Sequence, residues 1–218
     1  MKATMILHAM ALTLAAGAAG CAAGASPAAM DPAPAPSPGT EGGGAAPEAQ
    51  EEGLVPAGFG TLRLDDISLQ LRSGALEVRI TPLAESVTRL AAPDIHERLS
   101  ATARSAVARG ADADHDLLLV SFFSDRPDVP FQPEDLELVV QGRTHRPQNI
   151  LPTTPGWTRQ RLNQQENQSA VYVFRADADL AQGSLVVGYG AARSDDWSRV
   201  IPRLQDERSR VRARAGGG

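Results

Sequence analysis

Ile67-Ser68-Leu69-Gln70-Leu71-Arg72-Ser73-Gly74-Ala75-Leu76-Glu77-Val78-Arg79-Ile80 is the stretch that decides the fold class. Apolar residues occupy alternate positions on both sides of Arg72-Ser73-Gly74. A period of two with one polar side is the mark of a half-buried strand, and the glycine-bearing break between two such runs is a turn. The stretch therefore predicts two antiparallel strands with one wet face.

The same signal recurs along the chain. Thr61-Leu62-Arg63-Leu64 alternates upstream. Leu117 to Phe123 is a continuous apolar run and predicts a strand buried on both faces. Leu136, Leu138 and Val140 alternate again, and Gln141-Gly142 marks a turn into Arg143–Pro147. Ala170–Phe174 and Leu185–Tyr189 complete a set of seven or eight short strands, which predicts a mainly β chain folded as an antiparallel sandwich or barrel.

One segment departs from that period. Pro93 to Arg109 places Ile95, Leu99 and Ala106 or Val107 on one helical face, with Asp94 and Glu97 in capping-box spacing and Gly110 as the stop. With a second turn near Ala84–Ala91, it predicts a helical insertion at about 84–110. Trp197, Val200, Ile201 and Leu204 stand at helical spacing and predict a C-terminal helix with Pro202 early in it. All nine aromatic residues lie between Phe59 and Trp197. One domain is thus predicted over 54–204, followed by a frayed basic tail over 205–218 that carries Arg208, Arg210, Arg212 and Arg214.

The N-terminus has a different character. Lys2, the mostly apolar Ile6–Leu14 and the small residues Ala15–Gly20 have the layout of a signal peptide over 1–20, and the apolar run is too short to span a bilayer. Cys21, the only cysteine, follows at once. Residues 21–53 form an Ala/Pro/Gly-rich tether: from Ala22 to Gly53 there is no Leu, Ile, Val or aromatic side chain to offset the entropy of ordering. Its five acids, Asp31, Glu41, Glu48, Glu51 and Glu52, face no base and equal the chain's net charge of −5. Residues 54–218 hold 21 acids and 20 bases, and that balance argues against a nucleic-acid partner.

The segment ending Ala18-Ala19-Gly20-Cys21 resembles the acylation site of the bacterial lipoproteins. The resemblance covers about the first 21 residues, and Ala18 stands where Leu is usual. It implies lipidation of Cys21, cleavage before it, and a mature protein held to a membrane of the cell envelope by acyl chains. With Ala22 rather than Asp next, it implies the periplasmic face of the outer membrane in a diderm host. The strand pattern, above all Phe131 to Asn149, resembles the immunoglobulin-like β-sandwiches of bacterial lipoproteins, without the antibody-type cysteine pair and with no functional residues to transfer.

Chemistry is sparse. Asp112-Ala113-Asp114-His115-Asp116 alternates carboxylates as the first half of a calcium loop does, so Asp112, Asp114 and Asp116 are candidate metal ligands. The Gly and Glu that such a loop needs at its sixth and twelfth positions are Leu117 and Phe123 here. Trp157 and Arg159, in Pro155-Gly156-Trp157-Thr158-Arg159, are candidates for stacking on a sugar or a partner side chain; the favoured alternative is that Trp157 folds back over the end of the sandwich. There is no Gly-x-Ser-x-Gly elbow and no paired-His metal motif. Gly188-Tyr189-Gly190 lacks the third glycine of a dinucleotide fingerprint. No cofactor is expected. The leading expectation is a non-enzymatic, lipid-anchored binding or assembly module with an envelope protein or glycan as partner. A metal-dependent hydrolase or calcium protein built on Asp112–Asp116, and a scaffold whose basic tail touches cell-wall polymers, are the alternatives.

Overall fold

The computed structural model describes residues 53–176, 180 and 183–217, all within one compact unit, Ala45–Gly218. Cys21, the signal segment and nearly all of the tether lie outside the described residues. The domain is mainly β. Its elements are β1 (Leu69–Ser73), β2 (Leu76–Pro82), α1 (Glu85–Thr88), α2 (Pro93–Ala108), β3 (Asp116–Ser124), β4 (Val129–Pro130), β5 (Leu136–Val140), β6 (Arg143–His145), β7 (Asn149–Pro152), β8 (Arg161–Leu162), β9 (Glu166–Phe174), β10 (Leu185–Tyr189), β11 (Ala192–Ser194) and α3 (Trp197–Gly216).

The strands form two main antiparallel sheets, ordered β1-β2-β3-β9-β7 and β11-β10-β5-β6, with β4 and β8 paired separately. The opening stretch closes as expected: Ser73 pairs with Leu76, and Gly74 takes φ +60° in the two-residue loop between them. The inner face of the larger sheet carries Leu69, Leu71, Val78, Ile80, Leu118, Val120, Phe122, Ala170, Tyr172 and Phe174. Leu136, Leu138, Val140, Leu185, Val187 and Tyr189 meet them from the other sheet, which makes the fold a β-sandwich. Phe122 and Tyr189 touch across the layers with ring centroids 5.4 Å apart. Phe131 stacks on Phe122 at 4.8 Å, and Trp157 packs against both. The two buried phenols find partners: Tyr172 donates to Pro133 O, and Tyr189 accepts from Gln132 N. Burial pushes both hydroxyls up from the ordinary tyrosine value, so each stays protonated and able to donate.

Several expectations are corrected. The alternation at Thr61–Leu64 makes only a single parallel bridge, Leu62 to Ala91, and then a 3-10 turn at Leu64–Asp66, because the Asp66 carboxylate accepts from Arg63 N and turns the chain. The N-cap lies two residues earlier than its acids indicate: it is Ala92, with Pro93 opening the helix and Asp94 in the first turn. Eleven strands are present among the described residues, and β4, β7, β8 and β11 are two to four residues long. The frayed tail is helix. α3 continues through Arg208, Arg210, Arg212 and Arg214 to Gly216, and Val211 and Glu207 are buried along the stripe begun by Trp197, Val200 and Leu204.

β3 is not buried on both sides along its length. Its inner residues are buried throughout, whereas Leu119, Ser121 and Phe123 on the outer side are half-buried. The cause is α2, which lies across one end of the outer face. Leu117, Val171 and Val173 are buried at that end, and α2 reaches from Leu83 and Leu117 on one side to Thr153 on the other. No described helix is long and apolar enough to cross a membrane.

Candidate functional site

The margin where α2 rests on the sheet leaves a groove of about 540 Å³. A hollow of several hundred Å³ with apolar walls and a few polar groups is the usual form of a ligand seat. Its walls are Leu83 and Leu117 from the sheet and Ala103, Val107 and Ala108 from α2. Val107 is 39% exposed, one of two large apolar side chains so exposed among the described residues.

Glu85, at the start of α1, is the charged group best held there. Its Oε1 accepts from Ser100 Oγ at 2.8 Å, and its Oε2 accepts from Arg89 Nε at 2.9 Å. His96 Nδ1 lies 3.3 Å from Ser100 Oγ and 3.3 Å from Thr88 Oγ1, while its Nε2 is 4.0 Å from Glu85 Oε2. Burial alone would push the Glu85 carboxyl up. The bonds from Arg89 and Ser100 and the charges of His96 and Arg89 outweigh it and hold the group below the usual carboxylate value. These three side chains resemble a serine–histidine–acid set by type, but the connectivity differs. Ser100 gives its proton to the carboxylate rather than to the imidazole, and it is only 4% exposed. The arrangement fixes an ion-paired, hydrogen-bonded carboxylate at the groove; the serine hydroxyl is not aligned on the imidazole as in a nucleophile.

The acidic run flanks the same groove without forming a metal centre. Asp112 Oδ1 accepts from Asp114 N at 3.1 Å, which closes a local turn from α2 into β3. Its Oδ2 sits 3.1 Å from His115 Nδ1, a close approach without an aligned hydrogen bond, and His115 Nε2 lies 3.1 Å from Gln148 Oε1. Asp116 opens β3 and lines the groove. Asp112, Asp114 and Asp116 are therefore spread over a turn and a strand, and no group of three potential ligands converges among the described residues.

No protein-family model, no curated protein and no solved structure matches this chain.

Trp157 takes the folded-back alternative, while Arg159 stays at the surface. Trp157 is buried, with its ring 5.2 Å from Phe131 and 5.8 Å from Phe122, and offers no face to a partner. Arg159 is paired with Glu166 and bonded to Gly156 O. The groove itself escaped the sequence. Its only local traces are the four-residue spacings of Glu85 with Arg89 and His96 with Ser100, which are common on any helix surface.

Proposed function

We propose that the chain is a lipid-anchored envelope protein that acts as a non-enzymatic binding or assembly module, with the groove beside α2 as its ligand seat. The anchor in this reading is Cys21, acylated behind the signal segment, and the charge-bearing residues 22–53 hold the sandwich away from the membrane. In a diderm host the address is the periplasmic face of the outer membrane. The immunoglobulin-like character of the sandwich belongs to the same reading, as a rigid support that presents a face to an envelope partner.

The observation that carries the proposal is the groove: about 540 Å³, largely apolar on its walls, with Glu85, Arg104 and Asp116 among its polar lining. A ligand with an apolar body and a hydrogen-bonding end complements it. Ser100 being spent on Glu85 supports binding rather than acyl transfer.

Two measurements test the reading. Cys21→Ser should move the protein from the membrane fraction to the soluble fraction; unchanged membrane retention would sink the anchor. Full-length Cys21→Ser protein should bind the uncharged apolar fluorophore N-phenyl-1-naphthylamine saturably, and Ala103→Trp, which fills the groove, should abolish that binding. No saturable binding, or binding that survives Ala103→Trp, removes the groove as the seat.

A further inference from the structure

The outer face of the larger sheet changes chemistry where α2 stops covering it. Strand register sets side chains in rows across the sheet. One row runs Arg72, Glu77, Phe123, Asn167, and the next runs Gln70, Arg79, Ser121, Ser169. From these rows Arg72, Glu77, Arg79, Phe123, Ser121 and Asn167 floor two hollows of about 360 and 290 Å³ that share Glu77 and Phe123, with Leu64 walling the first and Asp125 and Arg126 the second. The result is a concave shelf, not a flat solvated face.

Its composition selects for one kind of ligand. Phe123 is an aromatic ring placed between a carboxylate on one neighbouring strand and an amide on the other, each about 5 Å away by strand spacing. Ser121 and Ser169 add a hydroxyl pair 2.7 Å apart. The charges cancel locally: Arg72 pairs with Glu77 at 3.3 Å and Arg79 with Asp65 at 3.3 Å. The charged side chains of the shelf are balanced in sign, with Asp125 and Arg126 adding one of each. A sugar ring offers the complement, an apolar C–H face for Phe123 and hydroxyls at its edge for Glu77, Asn167 and Ser121.

We propose that this uncovered half of the outer sheet face is a binding shelf for an uncharged oligosaccharide. The site gives a second surface to the binding module proposed above and stands whether or not the groove beside α2 takes a ligand.

The test is calorimetric titration of full-length Cys21→Ser protein with β-1,4-linked tetramers of N-acetylglucosamine and of glucose. At least one should bind at millimolar concentration or better. Phe123→Ala should weaken it about tenfold through lost stacking. Asn167→Ala and Glu77→Gln, both surface changes that spare the core, should each weaken it about threefold through a lost hydrogen bond. Saturating the groove with N-phenyl-1-naphthylamine should leave sugar binding unchanged. No heat from either tetramer, binding indifferent to all three substitutions, or competition by the fluorophore would each overturn the shelf. A protein partner captured on the shelf in place of sugar would do so too.

Discussion

The carboxylate of Glu207 accepts hydrogen bonds from both the main-chain N–H and the hydroxyl of Thr61, at 3.0 and 2.8 Å, across 146 residues of chain. Arg214 donates to the same oxygen at 2.9 Å and also to Phe59 O. One buried acid thus ties the last turns of α3 to the strand-like segment that enters the domain. Burial opposes its charge, but the bonds from Arg214 and Thr61 prevail and hold its carboxyl below the usual value. Glu207→Ala should leave the Thr61 amide without its acceptor and Arg214 with only Phe59 O, and cost about 2 kcal/mol. Urea unfolding of the full chain measures it, and hydrogen exchange should show α3 opening selectively beyond Leu204. A midpoint equal to wild type would mean the clamp contributes nothing.

Gly60 sits where two backbones nearly touch. A Cβ added there would lie 2.3 Å from the Leu90 carbonyl carbon and 2.4 Å from Ala91 O, both main-chain atoms that cannot swing aside. The approach lets Leu62 N donate to Leu90 O and Ala92 N to Leu62 O. Gly60→Ala should therefore separate the entering segment from the loop before α2 and destabilise the domain by about 2 kcal/mol or more. Thermal unfolding decides it: an unchanged or raised Tm would show that the contact yields.

Trp157 fills the centre of the ring cluster formed with Phe131, Phe122 and Tyr172. Trp157→Ala should cost about 3–5 kcal/mol as a large core truncation, and Trp157→Phe distinctly less. Equal and small losses for both would return Trp157 to the surface. The same pair should leave the tetramer titration of Trp157→Phe unaltered, since this ring belongs to the core and not to the shelf.

What could be read in advance, and what could not, divides along range. Leu76–Ile80 was legible because one sheet face against one wet face prints a period of two directly into the sequence. β8 and β4 offer two positions each, too few to show any period. Trp157 stands among Pro, Gly and Arg, a local context that fits either an exposed or a folded-back ring; what buries it is packing on Phe122 and Phe131, which are distant in the chain. Glu207 falls at the helical spacing of Val200, Leu204 and Val211, where an apolar residue belongs; only Thr61 explains it. At Asp112–Asp116 the residue types were plain, yet their directions depend on the turn that Asp112 makes with Asp114. The groove and shelf depend on where α2 lies across the sheet, which no local pattern encodes.

Folding holds four carboxylates below their ordinary values; Asp128 and Glu166 are ion-paired at the surface, so acid should act chiefly through the more buried Glu207 and Glu85. A carboxyl depressed by folding contributes stability that is complete above its unfolded value and is lost as pH falls through the folded one. Stability should thus be level from neutrality down to about pH 5 and decline below that. Glu207→Gln keeps the shape but cannot carry the charge, so its urea midpoint should start lower at pH 7 and fall less steeply toward pH 3. Ser100→Ala removes one donor to Glu85 and should bring that carboxyl closer to its ordinary value, which shortens the decline from the Glu85 side alone. Parallel acid profiles for wild type and both variants would exclude these two groups as the source of the acid response.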